Sequence, residues 1–216
     1  MLDKQKVTIA IAEAFGVMIL VTAVYAMVAR TSFPLFAAIA AGLTVGGLVL
    51  SIGPKTGAHV NPAITLGLWS IKKISTARAV MYVVAQVLGG VAALYLIKYL
   101  VGQPIENIAG KFEWKVLLSE AIGALVFGFG VANAVYRKFE GGKLAFAVGG
   151  SLTVGIVVAS LASNAILNPA VAIGLNSFNW AYAAGPVIGS ILGMNMYMLL
   201  FTDIAVPKSK AKKTKK

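Results

Sequence analysis

Residues 61–67 read Asn-Pro-Ala-Ile-Thr-Leu-Gly, and residues 168–174 read Asn-Pro-Ala-Val-Ala-Ile-Gly. The two segments are related by an offset of 107 in residue number (168 − 61 = 107). Asparagine is a favoured N-cap and proline suits the first turn of a helix, so each segment predicts a helix start. Apolar residues continue over 61–70 and 168–177. At about 1.5 Å per residue, helices of that length cross only about half of a bilayer's hydrocarbon core.

Six longer apolar segments surround these two motifs, and each is close to the ~20 residues that a spanning helix needs. They run approximately over residues 7–29, 35–53, 78–100, 114–136, 143–162 and 180–201. The composition agrees, because 59% of the residues are hydrophobic and only 12% are charged, with a mean hydropathy of +0.86. Backbone groups in a bilayer must be satisfied within the segment, so the fold class predicted is an all-α membrane protein.

The two motifs belong to a longer internal repeat. Three further pairs keep the same offset of 107: Glu13 and Glu120, Gly42 and Gly149, and Gly67 and Gly174. Each half has three spans, an odd number, so the second half must insert upside down relative to the first. We therefore predict a single transmembrane channel domain, 1–216, with six transmembrane helices plus two re-entrant half-helices in an inverted 3+3 repeat. Repeat one covers about 7–100, repeat two about 114–201, and a basic C-terminal tail follows at 207–216.

Basic residues set the predicted orientation. The formal net charge is +12, and six of the 19 Lys and Arg residues fall in the last nine positions. Aromatic residues are not interleaved with this basic run, so nucleic-acid binding is not supported. With the N-terminus inside, fifteen Lys and Arg lie on the cytoplasmic side and four outside (15 + 4 = 19). This predicts a multi-pass integral membrane protein with both termini cytoplasmic, whose tail is topogenic or, as an alternative, binds anionic lipid.

The two half-helices are expected to enter from opposite faces and to meet near the membrane midplane. Asn61 and Asn168 would each cap a half-helix through the side-chain oxygen and present the amide N–H groups to the lumen. Each helix N-terminus carries roughly +0.5 of an elementary charge, which repels cations and hydronium. The alternative is that both asparagines are ordinary helix caps in loops. A pore is favoured because the two caps are in register and each begins a half-length apolar segment.

Two glutamates and one histidine are further candidate residues. Intramembrane carboxylates such as Glu13 and Glu120 suggest ion pathways or proton relays by default. Their symmetric placement favours a loop-anchoring role instead, in which they accept hydrogen bonds from the loops before the half-helices. His59 is the sole histidine, so we predict a pore-adjacent position, with pH gating as an alternative. Without cysteines, nucleophile–base pairs or phosphate loops, we predict no catalytic residue, no metal site, no cofactor and no enzyme activity.

Longer stretches resemble a known family. Residues 56–67, Thr-Gly-Ala-His-Val-Asn-Pro-Ala-Ile-Thr-Leu-Gly, closely resemble the first signature of the aquaporin (major intrinsic protein) family. Residues 82–86 with Gly89 resemble its third span, and Trp180 with residues 185–189 resembles the start of its sixth. The resemblance implies an aquaporin-like fold, passive transport through the lipid bilayer, and homotetramers with one pore per subunit.

The sequence departs from the family at the selectivity filter. Aquaporins normally carry an arginine after the second Asn-Pro-Ala, and this chain has Val171. The resemblance puts the other three filter positions at Ala41, Ile156 and Ala165, so all four side chains are apolar and only one is large. Apart from Ala41, these residues are similar to the filter of certain plant tonoplast intrinsic proteins. Glycerol facilitators usually carry an aspartate where this chain has Ala172.

These residues and the resemblance together imply a passive channel for water and small neutral solutes such as ammonia, urea and hydrogen peroxide, which excludes ions and protons. Glycerol is a weaker candidate because of Ala172. Two alternatives stay open: a structural or adhesion membrane protein that kept the fold and lost conductance, and a weakly cation-permeable channel that lacks the filter arginine. A blocked pore should carry bulky residues in the lumen and an ion pathway should carry charge in the filter, and the sequence shows neither.

Overall fold

The computed structural model describes residues 3–31 and 33–202, which form nine helices. Six are long and apolar enough to cross a membrane: α1 (Lys4–Val28), α2 (Pro34–Ser51), α5 (Thr76–Val101), α6 (Trp114–Tyr136), α7 (Gly141–Ala159) and α9 (Trp180–Phe201). Two short helices, α4 (Pro62–Ser70) and α8 (Pro169–Gly174), are the half-helices, and α3 (Gly53–Thr56) is a single turn. The predicted fold class is confirmed, and the predicted basic tail at 207–216 lies outside the described residues.

Both half-helices begin at the predicted caps. The Oδ1 atom of Asn61 accepts a hydrogen bond from the backbone N–H of Ala63 at 2.8 Å. Asn168 makes the same bond to Ala170 at 3.0 Å. Proline follows each asparagine at the first helical position. The local rule that asparagine and proline start a helix therefore operates twice, once in each repeat.

Some predicted boundaries were wrong. The second half-helix ends at Gly174 rather than 177, because Asn176 has a φ of 52° and the N–H of Ser177 returns to the carbonyl of Ala172 at 2.8 Å. This left-handed C-terminal closure satisfies the last carbonyls and stops the helix. The second span ends at Ser51 rather than 53, and α3 forms separately after it. The fifth span ends at Ala159 rather than 162.

The helix packing has an approximate twofold symmetry. In the first repeat α1 packs against α2 and α5, and in the second α6 packs against α7 and α9. Half-helix α4 packs against α9 of the other repeat, while α8 packs against α5. Between the repeats, α2 also contacts α7 and α4 contacts α8. Each half-helix is thus held by a span of the opposite repeat, which places both Asn-Pro-Ala motifs at the centre of the molecule.

The contact between α2 and α7 depends on the paired glycines Gly42 and Gly149. A Cβ atom added at residue 42 would lie 2.6 Å from the carbonyl oxygen of Gly149. No real side chain tolerates that distance to a backbone atom. Small residues allow helices to approach closely inside a membrane, so this pair sets the spacing of the two repeats.

The outward faces of the spans are apolar. Leu43, Tyr99 and Phe146 are each more than seven-tenths exposed. Exposed apolar surface on this scale requires a non-aqueous neighbour, which the lipid bilayer supplies. The two described ion pairs, Lys6–Asp3 and Lys115–Glu113, lie in or next to the polar ends of spans.

Candidate functional site: a lumen between two half-helices

A cavity of about 280 Å³ leads from one membrane face to the centre of the fold. We call this face, where α1 ends and α2 begins, the distal face, because it lies opposite the N-terminus. The outer part of the cavity is lined by residues such as Val28 and Phe33, and its deep end reaches Asn61 and Asn168. All four sequence-predicted filter residues line the same cavity: Ala41, Ile156, Ala165 and Val171.

At the deep end of the cavity, reciprocal hydrogen bonds join the two repeats. The Nδ2 atom of Asn61 donates to the carbonyl oxygen of Leu167 at 2.9 Å. The Nδ2 atom of Asn168 donates to the carbonyl oxygen of Val60 at the same distance. An asparagine amide has two N–H donors, and each side chain donates one of them to the opposite loop. The expectation that both donors face the lumen was therefore incomplete, since one of them bridges the two motifs.

Glu13 and Glu120 are fully buried, and each accepts hydrogen bonds from the loop before a half-helix. Glu13 accepts from the backbone N–H groups of His59 at 3.1 Å and Val60 at 2.8 Å. Glu120 accepts from Ile166 at 2.9 Å and Leu167 at 2.7 Å. Acceptors and donors alike are related by the repeat offset of 107 (120 − 13, 166 − 59 and 167 − 60). These bonds tie α1 and α6 to the two loops.

The same loops contain strained backbone. Ala58 and Val60 have φ values of 48° and 42°, and their repeat partners Ala165 and Leu167 have values of 52° and 51°. Left-handed backbone is unfavourable for residues with a Cβ, and costs of order 1–3 kcal/mol per residue. Such a conformation persists only where neighbours hold it. Here the glutamates hold the N–H groups of Val60 and Leu167, and Ala165 lies in the cavity wall.

His59 belongs to a polar network that the second repeat lacks. Its Nδ1 atom lies 3.2 Å from the hydroxyl of Thr65, and its ring packs edge-on against Tyr82 with centroids 4.8 Å apart. Gln86 donates to Thr65 and to Glu13. The repeat partners of His59 and Thr65 are Ile166 and Ala172, so this network is specific to the first half. His59 also lines the cavity.

Sequence reasoning missed two pairs of loop supports. The hydroxyls of Thr56 and Ser163 accept hydrogen bonds from the backbone of Ala58 and Ala165, at 2.8 and 2.9 Å. The repeat offset of 107 (163 − 56) could have revealed them. A second pair, Tyr82 and Tyr182, contacts the same two loops through the phenol oxygens. The tyrosines are related by an offset of 100 (182 − 82), so the repeat offset of 107 does not pair them.

The described cavity wall carries very little charge. Among its described residues only His59 is ionisable, and polar groups come from a few hydroxyls and amides such as Ser163 and Asn164. Within residues 3–31 and 33–202, no group of three or more His, Cys, Asp or Glu could hold a metal ion. A passage of this composition suits an uncharged molecule that crosses without chemical change.

The model of the major intrinsic protein family matches residues 2–197. This chain belongs to that family. Aquaporin AqpM from Methanothermobacter thermautotrophicus is 28% identical over 187 residues, covering 76% of each chain. Aquaporin-1 from Rattus norvegicus is 32% identical over 186 residues, covering 79% of this chain and 68% of the relative.

The fold has a solved counterpart. The X-ray structure of the aquaglyceroporin from Plasmodium falciparum superimposes with a TM-score of 0.75, covering 94% of this chain and 98% of that one at 18% identity. Membership in the family makes the chain a multi-pass membrane protein and a channel for water and small solutes rather than an enzyme.

Proposed function

We propose that this chain is a passive channel that conducts water together with ammonia, urea and hydrogen peroxide and excludes ions and protons. Asn61 and Asn168 form the pore midplane, and Glu13 and Glu120 hold the loops that carry them. His59 is a pore-adjacent residue. The selectivity filter consists of Ala41, Ile156, Ala165 and Val171. The observation that carries the proposal is that these filter residues and both asparagines line one cavity. Among the described residues of its wall, only His59 is ionisable.

The chemistry of the filter supports neutral solutes. An arginine at position 171 would supply a fixed positive charge and up to five donors. Valine supplies neither and is smaller, so the filter is wider and offers fewer hydrogen bonds to a passing molecule. Moving a charge out of water without compensation is far more costly than moving a neutral polar group. Ions are therefore excluded by the cost of dehydration in the filter and by the helix N-termini at the midplane, which repel cations.

Glycerol is a secondary candidate substrate. The solved structural counterpart is an aquaglyceroporin, and the small filter residues leave room for a larger solute. Against it, glycerol has three hydroxyls that need partners, and the apolar filter offers none from its side chains. We expect glycerol to permeate more slowly than urea.

We further propose that the chain, 1–216, is one channel domain made of two inverted repeats, about 7–100 and 114–201. Both termini would face the cytoplasm, because fifteen of the 19 Lys and Arg residues then lie inside. Reporter fusions at each terminus test this orientation. A homotetramer in the bilayer follows from the family resemblance, and the mass of the detergent-solubilised protein by light scattering tests it.

Stopped-flow light scattering on proteoliposomes tests the proposal. Water permeability and the uptake of ammonia, urea, hydrogen peroxide and glycerol should be compared with protein-free liposomes. Flux of water, ammonia, urea and hydrogen peroxide above this background is expected, without current in a planar bilayer. A structural protein would give no flux at all, whereas a cation leak would give current.

A further inference from the structure

The connection between the two repeats is clamped across the distal face. Residues 102–113 join α5 to α6 and form no helix. Three asparagine side chains of the second repeat donate to its backbone carbonyls. Asn164 donates to Ile108 at 2.8 Å, Asn176 to Ile105 at 2.8 Å, and Asn179 to Ala109 at 3.0 Å. We call residues 102–113 the strap.

The first repeat has no asparagines at the positions that correspond to the clamp. The residues 107 positions before Asn164 and Asn176 are Gly57 and Trp69. Ser75 caps α5 as Asn179 caps α9, and none of these three residues has a side-chain amide. Features that build the fold recur in both repeats, as the glutamates and the Asn-Pro-Ala motifs do. Because the asparagines break the internal symmetry, their role concerns the distal face alone rather than the common fold.

The strap reaches the lumen. Ile108 lines the cavity together with Asn164, and its backbone N–H donates to the hydroxyl of Ser177 at 3.3 Å. On either side of it, Ile105 and Ala109 are buried although they lie outside any helix. The strap is thus held by side-chain hydrogen bonds and by two buried apolar residues, with Ile108 in the cavity wall.

We propose that the strap is a specificity element, in which the clamp of Asn164, Asn176 and Asn179 holds Ile108 at the mouth and sets the upper size of solute admitted. This inference rests on the proposed function, because it refines which neutral solutes reach the filter. A filter that has neither an aromatic residue nor an arginine gives little size discrimination of its own. A bulky side chain fixed above it supplies the missing restriction, while a molecule as small as water passes.

Asn176→Asp together with Asn179→Asp removes two of the three clamp bonds and leaves the bond from Asn164 to Ile108 in place. Aspartate keeps the side-chain oxygen by which Asn179 caps α9 and tolerates the left-handed backbone of residue 176, but it cannot donate to the strap. Neither residue is among the described residues lining the cavity. Asn107→Asp is the matched control. Asn107 is an exposed strap residue whose oxygen accepts from Ala109, so the control adds charge without removing a clamp bond.

Two measurements read out the change. Hydrogen exchange of the strap amides should become about fivefold faster for each clamp bond lost, and it should stay unchanged in the Asn107→Asp control. In proteoliposomes the ratio of urea to water permeability should rise several-fold in the double variant and also in Ile108→Ala, which keeps the clamp. The control should keep the ratio of the unaltered protein.

Unchanged strap exchange in the double variant would overturn the clamp. A urea-to-water ratio that stays the same in Ile108→Ala would overturn the size-selecting role. If the unaltered protein admits no urea and both variants admit it, the strap proposal stands and urea is removed from the proposed function. If neither the unaltered protein nor either variant admits urea, the strap proposal fails and so does the assignment of urea as a substrate.

Discussion

The side chain of Asn61 reaches across the boundary between the two repeats and donates to the carbonyl oxygen of Leu167 at 2.9 Å. Leu167 is the residue whose N–H is held by Glu120 at 2.7 Å. Its left-handed backbone is therefore fixed at both polar groups. Because Asn168 makes the reciprocal bond to Val60, the midplane is one interlocked unit and not two separate helix caps.

Asn168→Asp should weaken this unit and admit cations. Aspartate can still cap α8 but cannot donate to the carbonyl of Val60, and it adds a negative charge at the midplane. We expect a loss of stability of about 1 kcal/mol from the missing bond and a measurable cation current in planar bilayers. Asn133→Asp is the control, because the side chain of Asn133 only accepts a hydrogen bond from Tyr197. Equal currents in the two variants would contradict the electrostatic role of the midplane.

Gly42→Ala should destabilise the fold where α2 crosses α7. The new Cβ would meet the carbonyl oxygen of Gly149 at 2.6 Å, and overpacking of this kind typically costs about 1–3 kcal/mol. Gly47→Ala is the matched control in the same helix, because a Cβ there has no heavy atom within 4 Å. The stabilities of the two variants are compared by thermal unfolding in detergent, followed by size-exclusion chromatography. A Gly42→Ala protein as stable as Gly47→Ala would refute the close crossing.

Glu120→Ala should destabilise the protein more than it changes selectivity. The substitution leaves the buried N–H groups of Ile166 and Leu167 without their acceptor, and each unsatisfied group costs about 1–3 kcal/mol. Glu13→Ala should behave in the same way. Glu113→Ala serves as control, since that glutamate is half-exposed and pairs only with Lys115. Normal thermal stability with altered permeability would favour a proton or ion relay instead.

The sequence was sufficient for features that short-range rules encode. Asparagine followed by proline set the starts of both half-helices, and apolar length set the six spans. The repeat offset of 107 links Glu13 to Glu120 from the sequence alone. These features share one property, which is that a local physical rule or an internal symmetry fixes them.

Features set by tertiary contacts were not predictable. The early end of α8 depends on the left-handed backbone of Asn176, and the strap at 102–113 has no periodicity from which to infer its position. The network of His59, Thr65 and Gln86 joins three separate elements. Tyr182 is related to Tyr82 by an offset of 100 rather than 107, so α5 and α9 follow a different register from the rest of the repeat.

Val171→Arg should narrow the filter. Residue 171 lines the cavity with Ile156 and Ala165, and arginine would fill part of that volume and restore a cation. Its donors can be satisfied only by carbonyl groups and water in the lumen. We expect the ratio of urea to water permeability to fall while water flow persists, at matched protein density in liposomes. An unchanged ratio would mean that residue 171 does not line the constriction.

The most direct test of the central claim is solute and water flux through the unaltered protein in one proteoliposome preparation. Stopped-flow light scattering should record osmotic water flow and urea uptake, both above protein-free liposomes, while a pH-sensitive dye trapped inside reports no proton entry under an imposed gradient. That combination is the result expected from a wide apolar filter above a cation-repelling midplane. Water flow without urea uptake, or proton entry alongside either, would contradict the account.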